Sequence, residues 1–295
     1  MSGTYGAIIQ HIEPIHIADL LVPRLGNKFE SQVSNLIEEA AVYRSTATEK
    51  RKSAIEEFHR LINWKGLGRI SIGVAVSSAD LLRRMDAFHH GDRVSSGVRA
   101  LALFASARIG DQVEKVFEPN RGARLKVDDP EYGLPFLSSS EVFEINPTGE
   151  YLISRARTPN LDSLLLSSTD LLIPRSGQLG GIIGRAVLPL AKNIGNAGSE
   201  HLIRVRCFSE ADAAYLWAAL ASEPGYWALV GTAYGSSIPS LDSRLIEDIQ
   251  VPWFDAESRH GIAVLVQEAL RAQEIGIERE AKAIRLVEER ISEAK

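Results

Sequence analysis

The stretch Arg175-Ser176-Gly177-Gln178-Leu179-Gly180-Gly181-Ile182-Ile183-Gly184-Arg185 places two guanidiniums, a hydroxyl and an amide on one glycine-rich loop between strand-like runs. A guanidinium carries a planar fork of donors that pairs in bidentate fashion with guanine, and a glutamine amide does the same with adenine. Arg175, Ser176, Gln178 and Arg185 are therefore candidates to project toward a nucleic acid. The same glycines also have a purely structural reading, a tight hairpin in which glycine supplies positive φ. The two readings are compatible. The spacing matches neither G-x-G-x-x-G nor a P-loop, because no Gly-Lys-Ser/Thr follows, and this argues against a phosphate cradle for nucleotide chemistry. Arg121, Arg124 and Lys126 form a second basic cluster just after Pro119-Asn120, and Arg155 with Arg157 forms a third. Loop charge often does no more than solvate the loop. Alternatively, such clusters meet a nucleic-acid backbone and set register.

Groups suited to catalysis do not assemble in the same way. His89-His90 stands among Asp86 and Asp92, but adjacent residues on a helix or strand point apart, and no C-x-x-C or H-E-x-x-H accompanies them. Cys207 closes an apolar run and is expected to be buried and inert. A nuclease needs clustered carboxylates with a lysine to hold metal ions, and Glu280-Ala281-Lys282 lies far along the chain from any partner. An adenine methyltransferase would show Asn/Asp-Pro-Pro-aromatic, which Asn146-Pro147-Thr148 does not match. No catalytic residue, metal or cofactor is expected.

Composition sets the frame. A chain of 295 residues with 45% hydrophobic and 24% charged residues can bury a sizeable core and is ordinary for a soluble protein. One cysteine excludes an internal disulfide framework and fits a reducing cytosol. With no long apolar run and no secretory signal at the N-terminus, the expected location is the bacterial cytoplasm, away from membranes. The net charge of −5 is unevenly spread. Residues 64–206 carry 18 Lys/Arg against 15 Asp/Glu, whereas residues 207–254 carry 1 against 6. Phosphates are met locally, so the mildly basic centre is compatible with DNA contact without demonstrating it.

Two long amphipathic segments must position these loops. From about Lys28 to Ile62, Val33, Leu36, Ile37, Ala40, Ala47, Ala54, Ile55, Phe58 and Leu61 trace one helical face. After Pro252-Trp253-Phe254, with Asp255 placed to cap, a second stripe runs through Ile262, Leu265, Val266, Ala269, Ile277, Ile284, Val287 and Ile291. Each helix would extend roughly 50–60 Å at 1.5 Å per residue. Neither buries its stripe alone, so an antiparallel coiled coil is the simplest arrangement, and separate packing on the central domain is the alternative. Between them, strand candidates at Ile70–Val76, Tyr151–Ser154, Leu171–Pro174, Ile182–Leu188 and His201–Cys207 mix with helix candidates at Ser95–Ala107 and Ala211–Ala221. The class is mixed α/β, or α+β.

An internal repeat orders the whole. Tyr5-Gly6 through Ile17-Ala18-Asp19-Leu20-Leu21-Val22-Pro23 aligns without a gap, at an offset of 229, with Tyr234-Gly235 through Ile246-Glu247-Asp248-Ile249-Gln250-Val251-Pro252. A long amphipathic helix follows each copy. The unit is the end of a globular domain followed by a helix, which makes residues 1–26 the expected tail of a preceding domain.

This arrangement resembles the specificity subunits of type I restriction–modification systems. Tyr234-Gly235-Ser236-Ser237-Ile238-Pro239-Ser240-Leu241 with Asp248-Ile249-Gln250-Val251-Pro252 looks like the close of a target recognition domain. Asp170 to Gly177 with Gly184-Arg185-Ala186 resembles the family's strand–Gly turn–strand, and Gly133 to Leu137, His201 to Arg204 and Met85-Asp86-Ala87 also fit. The resemblance implies a remnant tail at 1–26, a spacer helix at 27–62, a recognition domain at 63–254 and a second spacer helix at 255–295. It further implies a non-catalytic subunit reading one half of a bipartite double-stranded DNA target, with Arg121, Arg124, Lys126, Arg155, Arg157, Arg175, Ser176, Gln178 and Arg185 facing the DNA. Methyltransferase subunits, and motor and nuclease subunits, would be its partners. Specificity subunits usually hold two recognition domains and this chain has one plus a stub, so it resembles a half-subunit or the C-terminal half of a longer parent, and homodimerisation would restore the pair. The competing reading is a coiled-coil interaction adaptor with no role on DNA.

Overall fold

The computed structural model describes residues 13–18, 20–68, 71, 73–82, 84–235 and 237–293. Helix α1 (Pro14–Ala18) precedes the long helix α2 (Asn27–Leu61). Next come α3 (Ser78–Leu81), α4 (Asp92–Ala102), β1 (Ser106–Arg108), α5 (Ile109–Gln112), β2 (Lys115–Phe117), β3 (Lys126–Val127), β4 (Gly133–Leu137) and β5 (Tyr151–Ser154). The remainder is α6 (Leu161–Leu164), β6 (Asp170–Pro174), β7 (Ala197–Gly198), β8 (Leu202–Arg206), α7 (Glu210–Ala221), α8 (Glu223–Gly231), α9 (Ser243–Glu247), β9 (Gln250–Pro252) and α10 (Ala256–Glu293). This is the mixed α/β class with two long helices expected from the pattern. Among the described residues no helix is long and apolar enough to cross a membrane.

The chain divides into two compact units, one holding the residues up to Ala40 and from Glu278 onward, the other Ala41–Ile277. In the first, Leu36, Ala40 and Ala283 are buried and Arg279 meets Glu39 at 3.0 Å. In the second, Lys50 pairs with Glu268 at 2.7 Å, while Ala54, Phe58 and Ile62 share one core with Ile262, Ala263 and Val266. Later residues of α2 thus meet earlier residues of α10, and the two helices run antiparallel there. The alanines of both stripes, Ala47, Ala54 and Ala269 among them, are buried. Ile37 and Ile284 stay exposed, so the apolar stripe is wider than the buried seam.

The second unit holds three small sheets. Strands β2, β8 and β6 make an antiparallel sheet in that order; β3, β5, β4 and β7 make a second, with β4 and β7 parallel; β1 pairs with β9. Helix α7 begins where Ser209 accepts the Asp212 amide, and its residues Ala213 to Leu220 are all buried against the first sheet and α8. Its apolar surface on every side marks it as the central core helix. Asp255 caps α10 as expected, accepting the Ser258 amide at 2.9 Å.

Several sequence expectations need correction. Ile70–Val76 forms no strand in its described residues, and Ile70 and Ile72 lie outside them. Ile182–Leu188 is a turn that returns only at Val187, which exchanges two backbone bonds with Leu172. Ile182–Leu188 is apolar without alternation, a pattern that does not specify a strand, whereas Ile70–Val76 alternates large residues with Ser71, Gly73 and Ala75 yet finds no partner strand for its described residues. The Ser95–Ala107 helix begins earlier, at Asp92, whose carboxylate suits a helix N-terminus, and stops at Ala102 before the chain extends into β1.

The repeat is visible where it is described. Helices α1 and α9 occupy positions 229 apart, as do the first residues of α2 and α10. Residues 1–12 and Asp19 lie outside the described residues. The copies differ in burial: Ile246 and Val251 are fully buried, whereas their counterparts Ile17 and Val22 are 60% and 78% exposed. Residues 250–252 form β9 on β1, while 21–23 form no strand.

Helix α2 is fastened to the body through Phe58, which is fully buried with its ring 6.2 Å from that of Tyr215, edge to face. Truncation leaves a cavity that neighbours fill only in part. Phe58→Ala is expected to lower unfolding free energy by about 3–5 kcal/mol. Urea denaturation followed by circular dichroism measures this, and a loss below about 1 kcal/mol would mean that the helix is not seated on this core.

Candidate nucleic-acid interface

Main-chain pairing fixes the root of the glycine-rich loop. Strand β6 delivers Arg175, whose N–H donates to the His201 carbonyl at 2.7 Å and whose carbonyl accepts from Leu241 at 2.7 Å. Gly177 donates to Pro239 at 3.2 Å, and the Ser176 and Ser240 hydroxyls lie 2.8 Å apart. The expected tight hairpin is instead a wide loop anchored on residues 239–241. Gly180 takes φ +85° at its tip. At Gly184 (φ +75°) a Cβ would lie 2.4 Å from Val230 Cγ1, so the loop can lie against α8 only without a side chain there. Gln178 and Arg185 are exposed.

The second and third basic clusters sit together on the four-stranded sheet. Lys126 of β3 pairs with Ile153 of β5, and Tyr151 of β5 pairs with Phe136 of β4. This register stacks the Phe136 and Tyr151 rings at 5.2 Å, with Lys126 Nζ 3.9 Å over Tyr151 and the Arg124 guanidinium 4.5 Å over Phe136. Cations over ring faces are attracted by the ring quadrupole. Arg124 also donates to the Tyr151 hydroxyl at 3.0 Å. Arg155, leaving β5, donates through Nε to the Gly133 carbonyl at 2.8 Å. Asn120, Gly122 and Arg124 share one narrow cleft with Thr158, Pro159 and Glu200, which brings the 120–124 loop beside the segment that follows Arg157.

Two glutamates join these clusters to the glycine-rich loop. Glu200 pairs with Arg124 at 3.1 Å, and the next residue, His201, receives the Arg175 amide. Glu118, three residues before Arg121, pairs with the Arg175 side chain at 3.0 Å. The three basic segments therefore converge on the Glu200-His201 turn. The nine candidates divide by commitment. Arg124 and Arg175 are neutralised by carboxylates, Arg155 holds a carbonyl, Ser176 meets Ser240, and Lys126 lies over an aromatic ring. Arg121, Arg157, Gln178 and Arg185 are exposed, with no side-chain hydrogen bond or ion pair among the described residues. Sequence reasoning missed Glu118 and Glu200. Glu118 stands beside the Pro119-Asn120 turn that flanks a basic cluster, which was a usable signal. Glu200 lies 76 positions beyond Arg124, and nothing local announced it.

A scan against protein-family models finds no match, and a search of curated proteins finds none. Among solved structures, the S subunit of a type I restriction-modification system from M. genitalium aligns with a TM-score of 0.42 and 14% identity. The alignment covers 99% of this chain and 64% of that one, so the chain spans about two thirds of that structure's length.

The residues considered for other chemistry have structural employment. His89 and His90 lie in a turn and their rings meet edge to face at 4.9 Å, contrary to the expectation that they point apart. A turn lacks the strict alternation that separates neighbours. His89 Nδ1 bonds the Gly231 carbonyl at 2.8 Å, and His90 Nε2 bonds the Arg84 carbonyl at 2.6 Å. No cluster of three metal-ligating residues occurs among the described residues. Cys207 is 1% exposed, and burial pushes its thiol up to about 12. At pH 8 only roughly one molecule in ten thousand would carry the thiolate. In the native protein the thiol is expected to resist an aromatic disulfide reagent at pH 8 and to react stoichiometrically in guanidinium. Prompt native labelling would show that the site opens.

Proposed function

We propose that this chain is a DNA-reading specificity subunit of a type I restriction–modification system. The observation that carries this reading is the convergence of three basic segments on one turn, with two arginines held by glutamates and others left facing solvent. The held arginines fix the loops, and Arg121, Arg157 and Arg185 meet phosphate oxygens. Gln178 at the loop tip reaches base edges. The resemblance of the motif order to specificity subunits supports the same reading. Within it, the body between the long helices reads one half of a bipartite site, and α2 with α10 sets the separation of half-sites and docks methyltransferase subunits. Those partners, with motor and nuclease subunits, perform the chemistry. Residues 1–26 are then the tail of a preceding recognition domain, and two copies of the chain supply two half-sites. Exposed Ile15, Ile17, Leu20, Leu21 and Val22 favour a second reading, a protein-binding adaptor, because contiguous apolar surface marks an interaction site.

Binding of the full chain to duplex DNA, followed by fluorescence anisotropy across a salt series, separates the two. The DNA reading requires affinity that falls steeply with salt, and replacing Arg121, Arg157 and Arg185 together by alanine should flatten the log–log salt slope by about 2.7, at about 0.9 per phosphate. Salt-insensitive or absent binding would leave the adaptor. Enrichment from a random duplex pool should return a motif in two separated parts; a single contiguous motif would remove the paired-copy arrangement.

Glu118→Gln offers a gain-of-function check. It releases the Arg175 guanidinium without changing side-chain size. Affinity for non-specific duplex is expected to rise, with the salt slope steeper by up to about 0.9. An unchanged slope would mean that Arg175 does not face the DNA.

A further inference from the structure

Within the unit Ala41–Ile277, where α2 lies over the sheets, there is a cavity of about 320 Å³. Its walls are largely apolar, formed by Leu137, Phe143, Leu166, Leu172, Val187 and Trp217. The Trp217 indole N–H is already donated to the Ala186 carbonyl at 3.0 Å, so its ring offers only carbon surface. This volume falls at the lower end of small-molecule pockets, about 300–1,000 Å³.

The polar lining comprises Arg44, Thr48, Arg51, Glu144, Asn193 and Gln273, and within it Arg51 is a buried cation bonded to a neutral acceptor. The Arg51 guanidinium donates to Gln273 Oε1, a neutral acceptor, and no carboxylate pairs with it among the described residues. Burial lowers its pKa, the signature of a cation held where charge is disfavoured. Asn193 is 2% exposed and donates through Nδ2 to the Pro147 carbonyl at 3.1 Å. That bond fixes the amide orientation and leaves Oδ1 without a donor, closed off from the cavity itself. A buried acceptor without a partner carries a desolvation penalty of about 1–3 kcal/mol.

These features select an occupant by exclusion. A bare inorganic anion would satisfy Arg51 and leave the apolar walls unfilled. A neutral hydrocarbon would fill the walls and leave Arg51 without a charged partner. We propose that this cavity binds a small amphipathic carboxylate, its carboxylate on Arg51 and its apolar body against Trp217 and Phe143. The site is independent of the DNA reading, since none of its polar groups belongs to the basic loops. Arg44, Ala47, Thr48 and Arg51 lie on α2 and Gln273 on α10, with the rest of the lining on the body, so an occupant ties both helices to the sheets.

N-acetylphenylalanine is a suitable probe, carrying a carboxylate, an amide N–H and an aromatic body. Isothermal titration and thermal unfolding of the full chain should show one site per chain and a raised Tm. N-acetylphenylalanine amide, identical but uncharged, should bind at least tenfold more weakly, and 3-phenylpropionate, which keeps the carboxylate and the ring, should retain binding. Arg51→Met keeps most of the side-chain bulk and should abolish the preference for the charged probe. If that variant does not fold, the comparison of charged and neutral probes on the unaltered chain decides. Equal binding of the two, or no binding of any probe at millimolar concentration, would overturn the proposal and leave a cavity filled by water.

Discussion

One buried guanidinium joins the two larger sheets. Arg204 lies in β8 at the centre of the three-stranded sheet and is fully buried. It donates to the carbonyls of Leu202 at 2.7 Å, Gly198 at 2.9 Å, Ser199 at 3.3 Å and Leu164 at 3.4 Å. Gly198 belongs to β7, the outer strand of the other sheet. Burial pulls the Arg204 pKa down to about 10, which still leaves it ionised at neutral pH. A desolvated cation is tolerated only where hydrogen bonds replace its water, and here backbone carbonyls do so for both terminal nitrogens, while Nε is left unpartnered among the described residues. Asp170, also fully buried, contributes at longer range and pairs directly with Arg206 at 2.7 Å. At Gly198 a Cβ would come within 2.8 Å of the Arg204 guanidinium, so glycine is required for the approach.

The basic loops depend on this junction. Residues 199–202, which wrap the Arg204 guanidinium, include Glu200 and His201. Those are the residues that hold Arg124 and the Arg175 backbone. The cation at the centre of the sheet therefore fixes the turn on which the surface cations are arranged. The core accommodates one charge so that others can be positioned at the surface.

Legibility in the sequence followed the range of the interactions. The long helices were readable almost to the residue, because amphipathic spacing and the Asp255 cap are local signals. Strand β5 was also plain. Strands β1, β3 and β7, two or three residues each, are too short to show alternation, and pairing with distant partners alone makes them strands. The basic clusters could be named from sequence, but their convergence could not. It rests on Glu118, which adjoins the Pro119-Asn120 turn, and on Glu200, which in sequence is indistinguishable from a solvated glutamate. Arg204 illustrates the same limit: its sequence neighbours suggest a strand, and nothing nearby shows that its charge is directed inward.

The glycine-rich loop is held at its root by main-chain bonds to residues 201, 239 and 241, whereas its tip carries the exposed side chains of Gln178 and Leu179. Main-chain anchors do not depend on which side chains hang beyond them. Gln178 and Leu179 can therefore be exchanged without disturbing the foundation beneath, and the chain can acquire new preferences by substitutions that the rest of the fold does not register.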